Sequence, residues 1–154
     1  MATTLLIVHG LVAVALLGAI THQALATWAP THGRSGSFLG RFRNVPSASF
    51  ANAIIVLYTL TAVLGAIVSL YFRVDIRPDM ERAGQWKVLG LFDIKEHFVA
   101  IGLALLPAYW TYWRKPRAGE STRARTALTS ILAIIVWWSF LIGHVTNNIR
   151  GFGA

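Results

Sequence analysis

Residues 50–72 read FANAIIVLYTLTAVLGAIVSLYF, a run of 23 without a single charge. A helix rises 1.5 Å per residue, so this run is long enough to cross the ~30 Å hydrocarbon core of a bilayer. Three more apolar blocks accompany it, from about Thr4 to Trp28, Phe92 to Trp113 and Thr126 to Thr146. Only helices satisfy all backbone polar groups within one segment in hydrocarbon, and the short alternating pattern of a barrel strand is missing. The expected fold is therefore all-α: an integral membrane four-helix bundle forming a single domain over residues 1–154.

Composition agrees. Of 154 residues, 55% are hydrophobic and 13% charged, with mean hydropathy +0.57, whereas a soluble domain carries about 25% charged residues. An ordinary soluble monomer is excluded. Without cysteine there are no disulfides, thiolate ligands, c-type haem attachment or cysteine nucleophile. The net charge of +8 sits in short loops, where anionic lipid rather than nucleic acid is its counter-charge. The start of the chain lacks a signal peptide's basic region, so the first span is expected to persist.

Charge also suggests an orientation. Arg34, Arg41, Arg43, Arg114, Lys115, Arg117, Arg123 and Arg125 follow spans one and three, against six cations on the other side. The positive-inside rule then puts both termini outside, in an up-down-up-down bundle of a plasma membrane, in a bacterium the inner one. Trp28, Tyr109, Trp110, Tyr112 and Trp113 fall at inner headgroup depth. The loop from Pro30 to Ser49 reads as irregular and mobile, and the stretch with Arg73, Asp75, Arg77 and Asp79 reads as a solvated surface interrupted by Pro78 and Gly84. Small residues that let helices approach include Gly65 with Ser69, Ala100 with Ala104, and Gly10 with Gly18. Pro107 predicts a local bend.

Four of the five histidines lie within spans: His9, His22, His97 and His144, with His32 in the first loop. Ionisable groups in a membrane usually face the bundle interior or a cavity. Because successive spans alternate in direction, His9, His97 and His144 come to one outer layer, within about 5 Å in depth. That layer allows interhelical hydrogen bonding or the ligation of a haem or metal. Two histidines on one haem iron make a low-spin electron carrier. Gly10 and Gly143 flank His9 and His144 and leave space, while Trp137, Trp138 and Phe140 bring rings to span four; Trp137 is a candidate haem contact or a packing residue.

This arrangement resembles the four-helix membrane b-type cytochromes, including cytochrome b561-like proteins and the cytochrome subunit of formate dehydrogenases. The resemblance implies an outer haem b held by helices one and four, which maps onto His9 and His144, with His97 as an alternative ligand or supporting partner. The group's inner haem uses a histidine of helix two and another on helix four; here span two has none and the corresponding position is Ser130. His22 lies 13 residues after His9, about 140° round the helix, and is a minor candidate for a second cofactor. Arg73, Arg77 and Arg150 could pair with haem propionates.

The expected role is electron relay between a quinone or membrane partner and an extracytoplasmic redox protein. An alternative uses Asp93 and His97, spaced i, i+4, with His9 or His144 to bind copper or zinc. Asp93, Lys95 and Glu96 also read as acidic capping and hydrated residues at a helix start. A third possibility is a cofactor-free accessory subunit of a membrane complex. No nucleophilic triad, phosphate-binding glycine loop or intramembrane acid and base pair is present, which removes hydrolase and ATPase functions.

Overall fold

The computed structural model describes residues 2–28, 47–114 and 120–149. Four long helices dominate: α1 (Ala2–Trp28), α2 (Ser47–Tyr71), α4 (Trp86–Arg114) and α5 (Glu120–Ile149). A π-helical segment (Phe72–Ile76) and the short helix α3 (Arg77–Arg82) join α2 to α4. Among the described residues only Ala83, Gly84 and Gln85 are not helical.

Three stretches are long and apolar enough to cross a membrane: Thr3–Trp28, Phe50–Arg82 and Thr122–Asn148. Their apolar side chains turn largely outward, with Leu11, Val63 and Ile134 among the exposed ones, a surface that suits lipid rather than water. Helix α4 departs from the expected four equivalent apolar blocks. It is equally long, but its first half carries Lys87, Asp93, Lys95 and Glu96, and four of its last six residues are tyrosine or tryptophan.

The helices form a ring in which α1 packs on α2 and α5, and α4 packs on the same two. His22 stacks on Phe50, and His9 meets Gly65, between α1 and α2. The Tyr58 hydroxyl donates to the Val99 carbonyl (3.1 Å) between α2 and α4. Trp113 Nε1 donates to Thr129 Oγ1 (3.2 Å) between α4 and α5. Trp28 Nε1 donates to Ser130 Oγ (2.8 Å), and Trp137 Nε1 to Thr21 Oγ1 (2.9 Å), between α5 and α1.

The dry core is confined to one end. It is built from Leu16, Ile20 and Ala24 of α1, Ala51, Ile54 and Tyr58 of α2, Leu106, Tyr109 and Trp113 of α4, and Leu132, Ala133, Ile135 and Val136 of α5. We call this the Tyr109 end, and the opposite one the His9 end. A smaller cluster of Phe72, Met80, Leu89 and Phe92 lies beneath α3, with Phe72 and Phe92 stacked at 4.2 Å.

Several sequence expectations change here. Pro78 does not end the helix, because it sits in the first turn of α3, where its missing N–H costs nothing. The backbone widens just before it, so that the Arg77 N–H bonds to the Phe72 carbonyl, a five-residue spacing. The interruption is instead Ala83–Gln85, where Gly84 takes φ +68°, a conformation open to glycine. Helix α4 continues through Pro107 to Arg114. Of the small-residue pairs, Gly65 and Ser69 face neighbours, but Ala100 and Ala104 are exposed. A side chain at Gly10 or Gly18 would meet nothing. The tight α2–α4 contact falls on Gly102, where an added Cβ would overlap the Tyr58 ring and hydroxyl. The Pro30–Ser49 loop lies largely outside the described residues, as do His32 and Arg150.

Candidate functional site: the His9 end of the bundle

His9 is the sequence-predicted ligand that the fold turns inward. It projects from α1 against α2 at Gly65, where a Cβ would stand 3.1 Å from the imidazole Cε1. The absence of a side chain at Gly65 makes room for the ring. The Thr61 backbone carbonyl is a hydrogen-bond partner of the ring, and the Lys95 ammonium acts on it electrostatically. Nδ1 is buried and has no hydrogen-bond partner among the described residues.

Two other buried polar atoms share that condition: Trp138 Nε1 and Ser139 Oγ, both on α5. Trp138 makes an edge contact with Phe98 of α4, with ring centroids 6.4 Å apart. Trp138 also lines an α1–α5 groove with Thr21, Ala24 and Trp28, level with the dry core rather than with His9. An unmet buried hydrogen-bonding atom costs about 1–3 kcal/mol, so each of them needs an explanation such as water, an ion or a ligand.

The other predicted residues are arranged differently. His97 is exposed, and its Nδ1 lies 2.7 Å from the Asp93 carbonyl oxygen one turn earlier. His144 is exposed, with Nε2 3.0 Å from Asn148 Nδ2 and its ring parallel to Phe140. Trp137 is exposed and engaged with Thr21, lining an apolar groove of about 360 Å³ between α1 and α5. Gly10 and Gly143 have open space beside them. His22 is at the opposite end, stacked on Phe50 at 5.0 Å. Among the described residues no three His, Asp or Glu side chains are grouped to hold a metal ion.

Asp93 and Glu96 are not at a helix start. Helix α4 begins at Trp86, two turns before Asp93, because the turn after Gly84 brings Val88 and Leu89 onto the Phe72–Phe92 cluster. Their carboxylates serve as anchors for the π segment and α3. Arg77 grips both Asp93 oxygens (2.9 and 3.2 Å) and also Glu81 (2.9 Å). Glu96 accepts hydrogen bonds from the Ser69 hydroxyl and the Arg73 guanidinium. The two arginines expected at propionates are thus committed to carboxylates of this chain.

Lys95 is the residue near His9 that sequence reading left outside the site, as a hydrated residue at a helix start. Lys95 is half-buried, its Nζ 4.0 Å from the Phe92 ring centroid. A lysine two residues before His97 in an apolar stretch was the available signal, since an ionisable group inside a span calls for a partner. No family model, curated protein or solved structure matches this chain.

Proposed function

We propose that this protein is a small membrane electron carrier whose four long helices cross the bilayer up-down-up-down with both termini outside. In this reading it binds one b-type haem at the His9 end through His9 and His144, with His97 as the alternative ligand. The helix order is supported by the contacts: His9 with Gly65 and His22 with Phe50 run in opposite senses, as do Trp28 with Ser130 and Thr21 with Trp137.

One observation carries the cofactor reading: the buried, unpartnered Nδ1 of His9. A neutral imidazole keeps a bare nitrogen lone pair, the form in which histidine binds metal. The residues fit the group in part before any rearrangement. His9 offers a free nitrogen, and Gly10 and Gly143 leave their flanks open. His144 must exchange its contact with Asn148, and both residues are exposed. When bound, the haem supplies one-electron chemistry, and the protein sets its orientation and surroundings. Gly65 gives the His9 ring its place, and the lipid-facing helices limit water at that level. Electrons would pass between a quinone or membrane partner and an extracytoplasmic redox protein.

A second reading, a cofactor-free accessory subunit, is favoured by the local engagement of His97 and His144 on their own helices. The copper or zinc alternative depends on Asp93, whose carboxylate Arg77 already holds at both oxygens. The deciding experiment is an absorption spectrum of the purified full chain with elemental analysis. A Soret band and a reducible α band, lost in His9→Ala and His144→Ala, support the haem carrier. A colourless chain that takes up no added haem ends that reading. Copper or zinc would then favour the metal alternative, and no metal the accessory subunit.

A further inference from the structure

At the His9 end one half-buried cation, Lys95, has no carboxylate partner among the described residues; the exposed Lys87, and Arg114, Arg123 and Arg125 at the other end, have none either. Among the described residues Arg73, Arg77 and Arg82 each pair with an acidic side chain, and Lys95 pairs with none. Its chain neighbour Glu96 bonds to Ser69 and Arg73 and acts on Lys95 only through space, without a direct contact. The Lys95 stem does not run out to the surface, as lysines near helix ends usually do. It lies with Nζ over the buried Phe92 ring, close enough to act on His9 of α1 across the bundle. Holding an ammonium there without an anion is costly. At the same end Nδ1 of His9 is buried with no hydrogen-bond partner among the described residues.

From this juxtaposition we propose that Lys95 pairs with an anionic oxygen group, a carboxylate or phosphate, of an amphiphile bound at the His9 end. The unmet His9 nitrogen suits the ligand's polar edge, and the ammonium its acid. Two sources have this chemistry. One is a haem propionate, which rests on the cytochrome reading; the other is the phosphate of an anionic lipid, which does not.

The test separates them using purified full-length protein. In the first arm the chain is titrated with haem and with haem dimethyl ester, whose acids are masked, and uptake is followed in the Soret region. In the second arm the chain is taken from bilayers of phosphatidylcholine containing phosphatidylglycerol, with and without inorganic phosphate, and retained lipid is weighed by native mass spectrometry. Wild type and Lys95→Arg should favour the free acid, or phosphatidylglycerol over phosphatidylcholine, by about tenfold, the scale of one charge-assisted contact. Lys95→Met should lose that preference. Loss of the lipid preference on adding inorganic phosphate would identify the free anion as sufficient and still support the Lys95 site. If the chain takes up no haem but retains phosphatidylglycerol through Lys95, the cytochrome reading falls and the Lys95 site stands. Equal affinity of wild type for acid and ester, together with equal retention of both lipids, overturns the proposal without any variant having to fold.

Discussion

The Tyr109 hydroxyl donates to the side-chain carbonyl of Gln23, joining α4 to α1 across the diagonal of the helix ring. Both residues are buried, at 0% and 1% exposure, in the dry half of the bundle. Tyr109→Phe removes this donor and should cost about 0.6–1.7 kcal/mol, the measured range for interhelical side-chain bonds in membrane proteins. Thermal unfolding in detergent would read the loss. Adding Gln23→Leu and Tyr109→Phe/Gln23→Leu completes a double-mutant cycle, which separates this bond from the other contacts of the two side chains. An unchanged midpoint in Tyr109→Phe would remove the bond from the stabilising set.

Gly102 governs the approach of α2 to α4. Because a Cβ there would overlap the buried Tyr58 ring, Gly102→Ala should destabilise the bundle by about 1–3 kcal/mol, as overpacking does. Gly18→Ala, at an exposed helix position facing open space, is the matched control and should be neutral or slightly stabilising. The comparison requires only the two melting curves.

Gly65 and His9 form a complementary pair, glycine against ring. Gly65→Leu would displace the imidazole, so any cofactor uptake that depends on His9 should fall together with stability. With Gly65→Ala the 3.1 Å approach demands a shift of only a few tenths of an ångström, and most uptake should survive. Soret amplitude after haem titration is the measure, and full uptake by the leucine variant would dissociate His9 from the site.

Arg77 ties α3 and α4 together through Asp93 and Glu81. These groups remain partly exposed, which limits each pair to about 1 kcal/mol or less. Arg77→Gln should therefore leave the long helices folded and speed amide exchange in residues 72–85 by no more than about thirtyfold, the bound for two such pairs. Raising the salt concentration should produce the same change in wild type. Exchange spreading into the dry core would show that the clamp holds more than its own segment.

The helices were legible because a lipid-spanning run carries its length and composition in itself. The blocks from about Thr4 to Trp28 and Phe50 to Phe72 nearly match α1 and α2. The connection before α4 was not legible, since Pro78 and Gly84 read as equivalent breaks. Pro78 falls in the first turn of a helix, which accepts proline, and only Gly84 interrupts the path. For the site, helix order gave an expected depth for His9, His97 and His144, but not the direction in which each ring points. Direction depends on how each helix is rotated in the ring, and α1, α2 and α5 are apolar nearly all round, so their sequences specify rotation weakly. Lys95 was misjudged for a related reason: a helix start at Phe92 made it terminal and hydrated, whereas the added turns from Trp86 carry it into the bundle.

The larger buried apolar cluster rivets all four helices near Gln23 and Tyr109, whereas at the opposite end the Phe72–Phe92 cluster holds only α2 to α4, so that the start of α1 and the end of α5 are the free tips of a pair of tongs. Breathing should start at the tips, because least packing is lost there. A guest molecule could then slip in and leave from the headgroup region on that face, with the rivet undisturbed.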